Sequence, residues 1–100
     1  MKILDEKQIE KVRIHRDGGI CLYGLFSQDK CSGEGEIHHI IPRSILRLDD
    51  KMNLITLCRR HHHKAEMRGM GQSKLFECLE TLYKYDYTEF KEKYGRFIRS

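Results

Sequence analysis

One hundred residues with a single proline suit one domain. A hydrophobic fraction of 39% and a charged fraction of 34% leave only a thin core, which a structural metal would supplement. No window approaches the roughly 20 apolar residues of a membrane span, and the start MKILDEKQIEKVR has no apolar signal core. A soluble cytoplasmic protein without a membrane partner is therefore expected. In that compartment Cys21, Cys31, Cys58 and Cys78 are metal ligands or buried thiols rather than disulfides. The formal charge of +4 permits nucleic-acid binding without requiring it.

In chain order, DEKQIEKVRIHR predicts a helix over 5–16, capped by Asp5 with Gln8 at the reciprocal position and striped by Ile9 and Val12. Gly18 and Gly19 break it with a turn. ICLYGLF and GEIHHII read as short strands joined by the polar SQDKCSGEG, a β-hairpin or something close to it. PRSILRLDDKMN is expected to be loop, and LITLC a further short strand. RRHHHKAEMR reads as a helix stopping at Gly69 and Gly71. SKLFECLETLYKY is a helix capped by Ser73, with Leu75, Phe76, Leu79, Leu82 and Tyr83 at helical spacing. Thr88 is expected to cap a last helix carrying Phe90, Tyr94 and Phe97. Cys78 falls on an apolar helix face and is expected in the core.

Five of the six histidines lie in two clusters, His38–His39 at a strand end and His61–His62–His63 at a helix start. Neighbouring side chains of a strand point to opposite faces, so His38 and His39 are not expected to do the same job. A strand-edge histidine and a helix histidine can share a divalent metal. His62 and Glu66 share a helix face at i, i+4 spacing, so His38, His62 and Glu66 would give two nitrogens and a carboxylate. The plainer reading of RRHHHK is a solvated polar helix start.

Taken together, EIHHIIPRS, KMNLITLC and CRRHHH, in that order and spacing, resemble the HNH nuclease family, and the upstream RDGGIC resembles the segment preceding its motif. The resemblance covers about 13–68 and implies an α+β fold: a ββα-metal core with a short β-hairpin and flanking N- and C-terminal helices. The chain 1–100 would then be a single HNH nuclease domain, with the motif at about 36–68 and a helical extension at about 73–99.

By the same resemblance, His39 matches the general base, Asn53 the family's asparagine, His62 the helix metal ligand and His38 a further ligand. Glu66 stands where some members add a histidine. The implied activity is hydrolysis of DNA phosphodiesters to a 5′-phosphate and a 3′-hydroxyl, by nicking or double-strand cleavage with weak sequence specificity. Asn53 would hold the loop and orient His39 by hydrogen bonding. Mg2+ or Mn2+ is the ion expected to support turnover, with Ni2+ or Zn2+ also acceptable to such donors.

Small members carry a structural zinc on two CxxC pairs. Here Gly24 and His61 stand at the second and fourth positions, so Cys21, Cys31, Cys58 and His61 form a candidate Cys3His zinc set. The alternative is that the zinc is lost and the thiols are small core residues. DNA-backbone contacts are expected from Arg13, Arg16, Arg43, Arg59, Arg60 and Lys64, with Arg47, Lys51 and Arg68 nearby; solvation of exposed faces is the competing role. Lys91, Lys93, Arg96 and Arg99 alternate with glutamates and aromatics, as on a solvated helix face. The competing functional readings are a non-catalytic zinc-binding DNA module and a nuclease subunit of a larger phage or mobile-element complex.

Overall fold

The computed structural model describes residues 6–67 and 70–98. Asp5 as a helix cap, Gly69 as a helix stop, and Arg68 and Arg99 as surface charges lie outside them. The chain runs α1 (Glu6–Lys11), a π-helical turn (Val12–Arg16), α2 (Leu22–Ser27), β1 (Gly35–His39), a 3-10 turn (Lys51–Asn53), β2 (Leu54–Cys58), α3 (Arg59–Glu66), α4 (Gln72–Tyr83), α5 (Thr88–Tyr94) and a last 3-10 turn (Gly95–Phe97). This is the expected α+β class, an antiparallel two-stranded hairpin with flanking helices.

Two expectations about ICLYGLF need correction. It forms helix α2 rather than a strand, because the Cys21 sulfur caps Leu22–Ser27 by accepting from the Gly24 amide at 3.4 Å. A short apolar run carries no periodicity that separates helix from strand, and burial of Leu22 in the core decides for helix. The hairpin is instead β1 with β2, in the register Gly35↔Cys58 to His39↔Leu54. The predicted turn at Gly18–Gly19 forms with φ of +63° and +71°, a region that costs glycine nothing.

Two caps also differ. Helix α4 starts at Gln72 with Gly71 at its N-cap, so Ser73 lies inside the first turn. Ahead of α5, the Asp86 carboxylate accepts from the Thr88 amide at 3.0 Å and hydroxyl at 2.7 Å, so Asp86 acts where Thr88 was expected.

All five residues of β2 are buried. Helices α2 and α4 pack on each other, α2 also packs on β2, and α3 packs on both strands. Leu54, Ile55 and Leu57 are fully inaccessible, each contributing about 2 kcal/mol by apolar burial. Cys78 lies in this core, as expected from its helix face.

The N-terminal segment is tied to the core through Asp17, which is 3% exposed. Its carboxylate accepts from Arg16 Nε at 2.6 Å, from the Thr56 hydroxyl at 2.7 Å and amide at 3.2 Å, and from the Tyr83 hydroxyl at 2.7 Å. Arg16 also donates to the carbonyls of Lys51 and Leu54 and stacks over the Tyr83 ring. Four of the five guanidinium N–H groups of Arg16 are thereby engaged inside the fold. Arg13 forms a surface ion pair with Glu10 and donates to the Gly35 carbonyl.

Candidate active site and metal centres

The hairpin and α3 bring the histidines into two groups. Cys58 caps α3, its sulfur accepting from the His61 amide at 3.5 Å. One helical step on, His62 leans over β1, its ring centroid 5.0 Å from that of His38. His61 and His62 therefore face different clusters although they are adjacent in the chain.

The first cluster is Cys21, Cys31, Cys58 and His61, whose donor atoms all lie within 4.8 Å of one another. The sulfurs of Cys58, Cys21 and Cys31 stand 3.2, 3.3 and 3.8 Å from His61 Nδ1. Zn–S and Zn–N bonds of about 2.3 and 2.0 Å at tetrahedral angles require S···N separations of roughly 3.6 Å. All four cysteines are free thiols. Burial and the neighbouring Cys21 and Cys58 push the Cys31 thiol up to about 12. Burial opposes ionisation of Cys58 as well, yet the amides of His61 and Ser32 bring it down to about 7. Packed sulfurs that resist joint ionisation gain most from a cation among them. The donor set fits zinc.

Gly24 explains how Cys31 reaches this cluster. A Cβ on residue 24 would lie 2.1 Å from the Cys31 sulfur and 3.7 Å from that of Cys21. The sulfur thus occupies the volume that any side chain at position 24 would need. The long interval from Cys21 to Cys31 closes through space, with Gln28 in the left-handed region ending α2.

The second cluster is His38, His62 and Glu66, again with donor atoms within 4.8 Å of one another. His62 Nδ1 lies 3.0 Å from Glu36 Oε1 and its Nε2 3.1 Å from Glu66 Oε1. A neutral imidazole can donate from only one nitrogen, so the second carboxylate contact calls for a further proton or a cation. Burial, then the imidazoles of His62 and His39, pull His38 down to about 4, leaving its lone pair free at neutral pH. Two nitrogens and a carboxylate fit a divalent cation.

His39 lines the same cleft of about 630 Å³ as His38, His62, Glu66 and Arg43. Its Nε2 is 2.7 Å from Oδ1 of the fully buried Asp49. Burial lowers the His39 pKa most, the bond to Asp49 opposes that, and Arg43 and Arg47 push it down further. Asn53 does not touch His39. Its side chain accepts from the Ile41 amide at 2.8 Å and donates to the carbonyls of Ile41 and Leu48 at 3.2 and 3.0 Å. The expected hold on the loop is present, and the direct bond to His39 is replaced by Asp49.

One pattern covers three histidines. His39 is tied to Asp49, His61 to Asp29 at 2.9 Å and His62 to Glu36, each through one ring nitrogen. Such carboxylates fix the tautomer and leave the other nitrogen for chemistry. None of the three carboxylates carries a spacing signal in the sequence; only the hairpin register, which sets Glu36 two residues before His38 on one face, could have pointed to one of them.

Among the basic residues, Arg43 and Arg47 are about half exposed beside His39. Arg59 and Lys64 are exposed on α3, whereas Arg60 donates to the Lys30 carbonyl at 3.4 Å. No helix of the described residues is long and apolar enough to cross a membrane.

Residues 26–68 match the family model of the HNH endonuclease. The match begins beyond Cys21, so one sulfur of the first cluster lies outside it. No curated protein and no solved structure matches the chain.

Proposed function

We propose, from the HNH endonuclease domain that residues 26–68 carry, that the protein is a metal-dependent endonuclease hydrolysing DNA phosphodiesters. The observation that carries this is one cleft holding a three-donor cluster, His38, His62 and Glu66, beside a separate imidazole, His39. A base bound to the cation could not accept a proton, and His39 stands outside the three-donor cluster, tied to Asp49 through Nε2.

His39, neutral near pH 7, takes a proton from a water molecule whose oxygen attacks phosphorus. The P–O3′ bond breaks and O3′ takes a proton from solvent, leaving a 5′-phosphate and a 3′-hydroxyl. His38, His62 and Glu66 would hold a divalent cation, Mg2+ or Mn2+ by preference, which would supply Lewis-acid stabilisation of developing negative charge. Arg43 at the cleft holds a phosphate, and Arg59 and Lys64 extend that charge along α3. Asn53 ties the ends of the loop above the site. The Cys3His set would hold zinc as a structural brace.

Conversion of supercoiled plasmid to nicked or linear form in Mg2+ or Mn2+, and none in EDTA, is the expected result. A non-catalytic zinc module, which the complete Cys3His set alone would suit, predicts plasmid binding without cleavage under any divalent cation.

The pH dependence follows from His39, which must be unprotonated to act. Its pKa is lowered from 6.5, so the acid limb of kcat/KM lies below pH 6.5 and full activity persists through neutrality. His38, at about 4, stays unprotonated throughout that range. A limb centred above pH 6.5 would contradict the assignment.

A further inference from the structure

We infer that Asp49 is a positioning residue of the hydrolysis, acting through His39 by selecting the tautomer whose Nδ1 is free to take a proton from water. The inference rests on the nuclease reading and adds a residue to it.

Asp49 is fully buried, and both of its oxygens are engaged. Oδ1 meets His39 Nε2 at 2.7 Å and Oδ2 accepts from Arg47 Nε at 3.1 Å. The His39 and Arg47 bonds hold its carboxyl below the usual range although burial works the other way. A carboxylate only accepts, so the proton of neutral His39 must sit on Nε2. That leaves the lone pair on Nδ1.

Arg43 makes this selection matter. Its Nε lies 3.2 Å from the same His39 Nε2, and Nε carries a hydrogen in every state of arginine. While Nε2 is protonated, that contact is donor against donor. If Nε2 lost its acceptor, Arg43 would supply a donor to it, the ring proton would move to Nδ1, and the nitrogen meant for water would be blocked. Asp49 and Arg43 thus compete for one nitrogen, with opposite consequences for the base.

The backbone is arranged to keep Asp49 in place. Asn53 Nδ2 donates to the carbonyl of Leu48, the residue before Asp49, and to that of Ile41. This pins the far end of the loop against the end of β1 that carries His39. Asn53 therefore reaches the base through Asp49.

The test is single-turnover cleavage of duplex DNA by Asp49→Asn, Asp49→Ala and Asp49→Glu, with 15N–1H correlation spectra of the His39 ring and melting temperatures. Wild type should give the Nε2–H pattern. Asp49→Asn and Asp49→Ala should lose roughly 10²-fold or more in rate with KM nearly unchanged, as expected for removal of a partner that orients a base. Their His39 spectra should move toward Nδ1–H, and Asp49→Glu should recover part of the rate. A wild-type spectrum with the proton on Nδ1, or an Asp49→Asn variant keeping full rate, overturns the inference. Should both short variants fail to fold, the wild-type spectrum and the Asp49→Glu rate still decide it. If wild type cuts no DNA, the nuclease reading fails on that result, whereas the tautomer is read separately from the ring spectrum.

Discussion

Replacing His39 by alanine is expected to lower the cleavage rate by roughly 10²–10⁴-fold, the range a positioned general base contributes. Plasmid affinity should change little, because Arg43, Arg59 and Lys64 remain. The variant also leaves Asp49 buried with Arg47 as its remaining close partner, so some loss of stability accompanies it. His39→Gln separates the two effects, since the amide keeps a donor for Asp49 and has no useful basicity. Gel quantification of nicked plasmid over time, beside melting curves, checks both. Equal rates for wild type and His39→Gln in Mn2+ would remove His39 from the mechanism.

Cys58→Ser is expected to have the largest effect on folding. Cys58 is fully buried, caps α3, and presents its sulfur 3.2 Å from His61 Nδ1. Structural zinc sites in small domains contribute on the order of 10 kcal/mol at neutral pH, comparable to the whole stability of a chain this size. Wild type purified without chelator should hold about one equivalent of zinc, and Cys58→Ser well under half. Strong chelation should lower the wild-type melting temperature by tens of degrees and leave the variant near its already low value. A wild-type protein holding little zinc and melting identically with and without chelator would return these thiols to the role of small core residues.

Much of the site was legible because its residues lie in short local patterns. The histidine pair ends β1, the asparagine closes the 3-10 turn ahead of β2 and the histidine triplet opens α3, an order that brings them together. The sulfur of Cys31 was harder, since only the glycine at position 24 makes room for it. Asp29, Glu36 and Asp49 were not legible: single acidic residues in polar segments look like solvated charge until the chain is folded. Arg16 shows the opposite difficulty. An arginine before a glycine turn suggests an exposed phosphate ligand, yet the neighbouring Asp17 is buried and draws the guanidinium inward. The strand assigned to ICLYGLF failed because a short apolar run fits either backbone, and a cysteine cap is a weak sequence signal.

The placement of His61 and His62 on successive positions of α3 also sets how this chain can change length. An α-helix turns about 100° per residue. Inserting or deleting one residue between Cys58 and His61 would swing each imidazole out of its own cluster and the neighbouring residue into its place. Neither histidine could be restored independently, because both are read off the same eight-residue helix. Substitutions along α3 are thus graded in their effects, whereas a change of length ahead of His61 is all or nothing, displacing His61 and His62 from both clusters in one event.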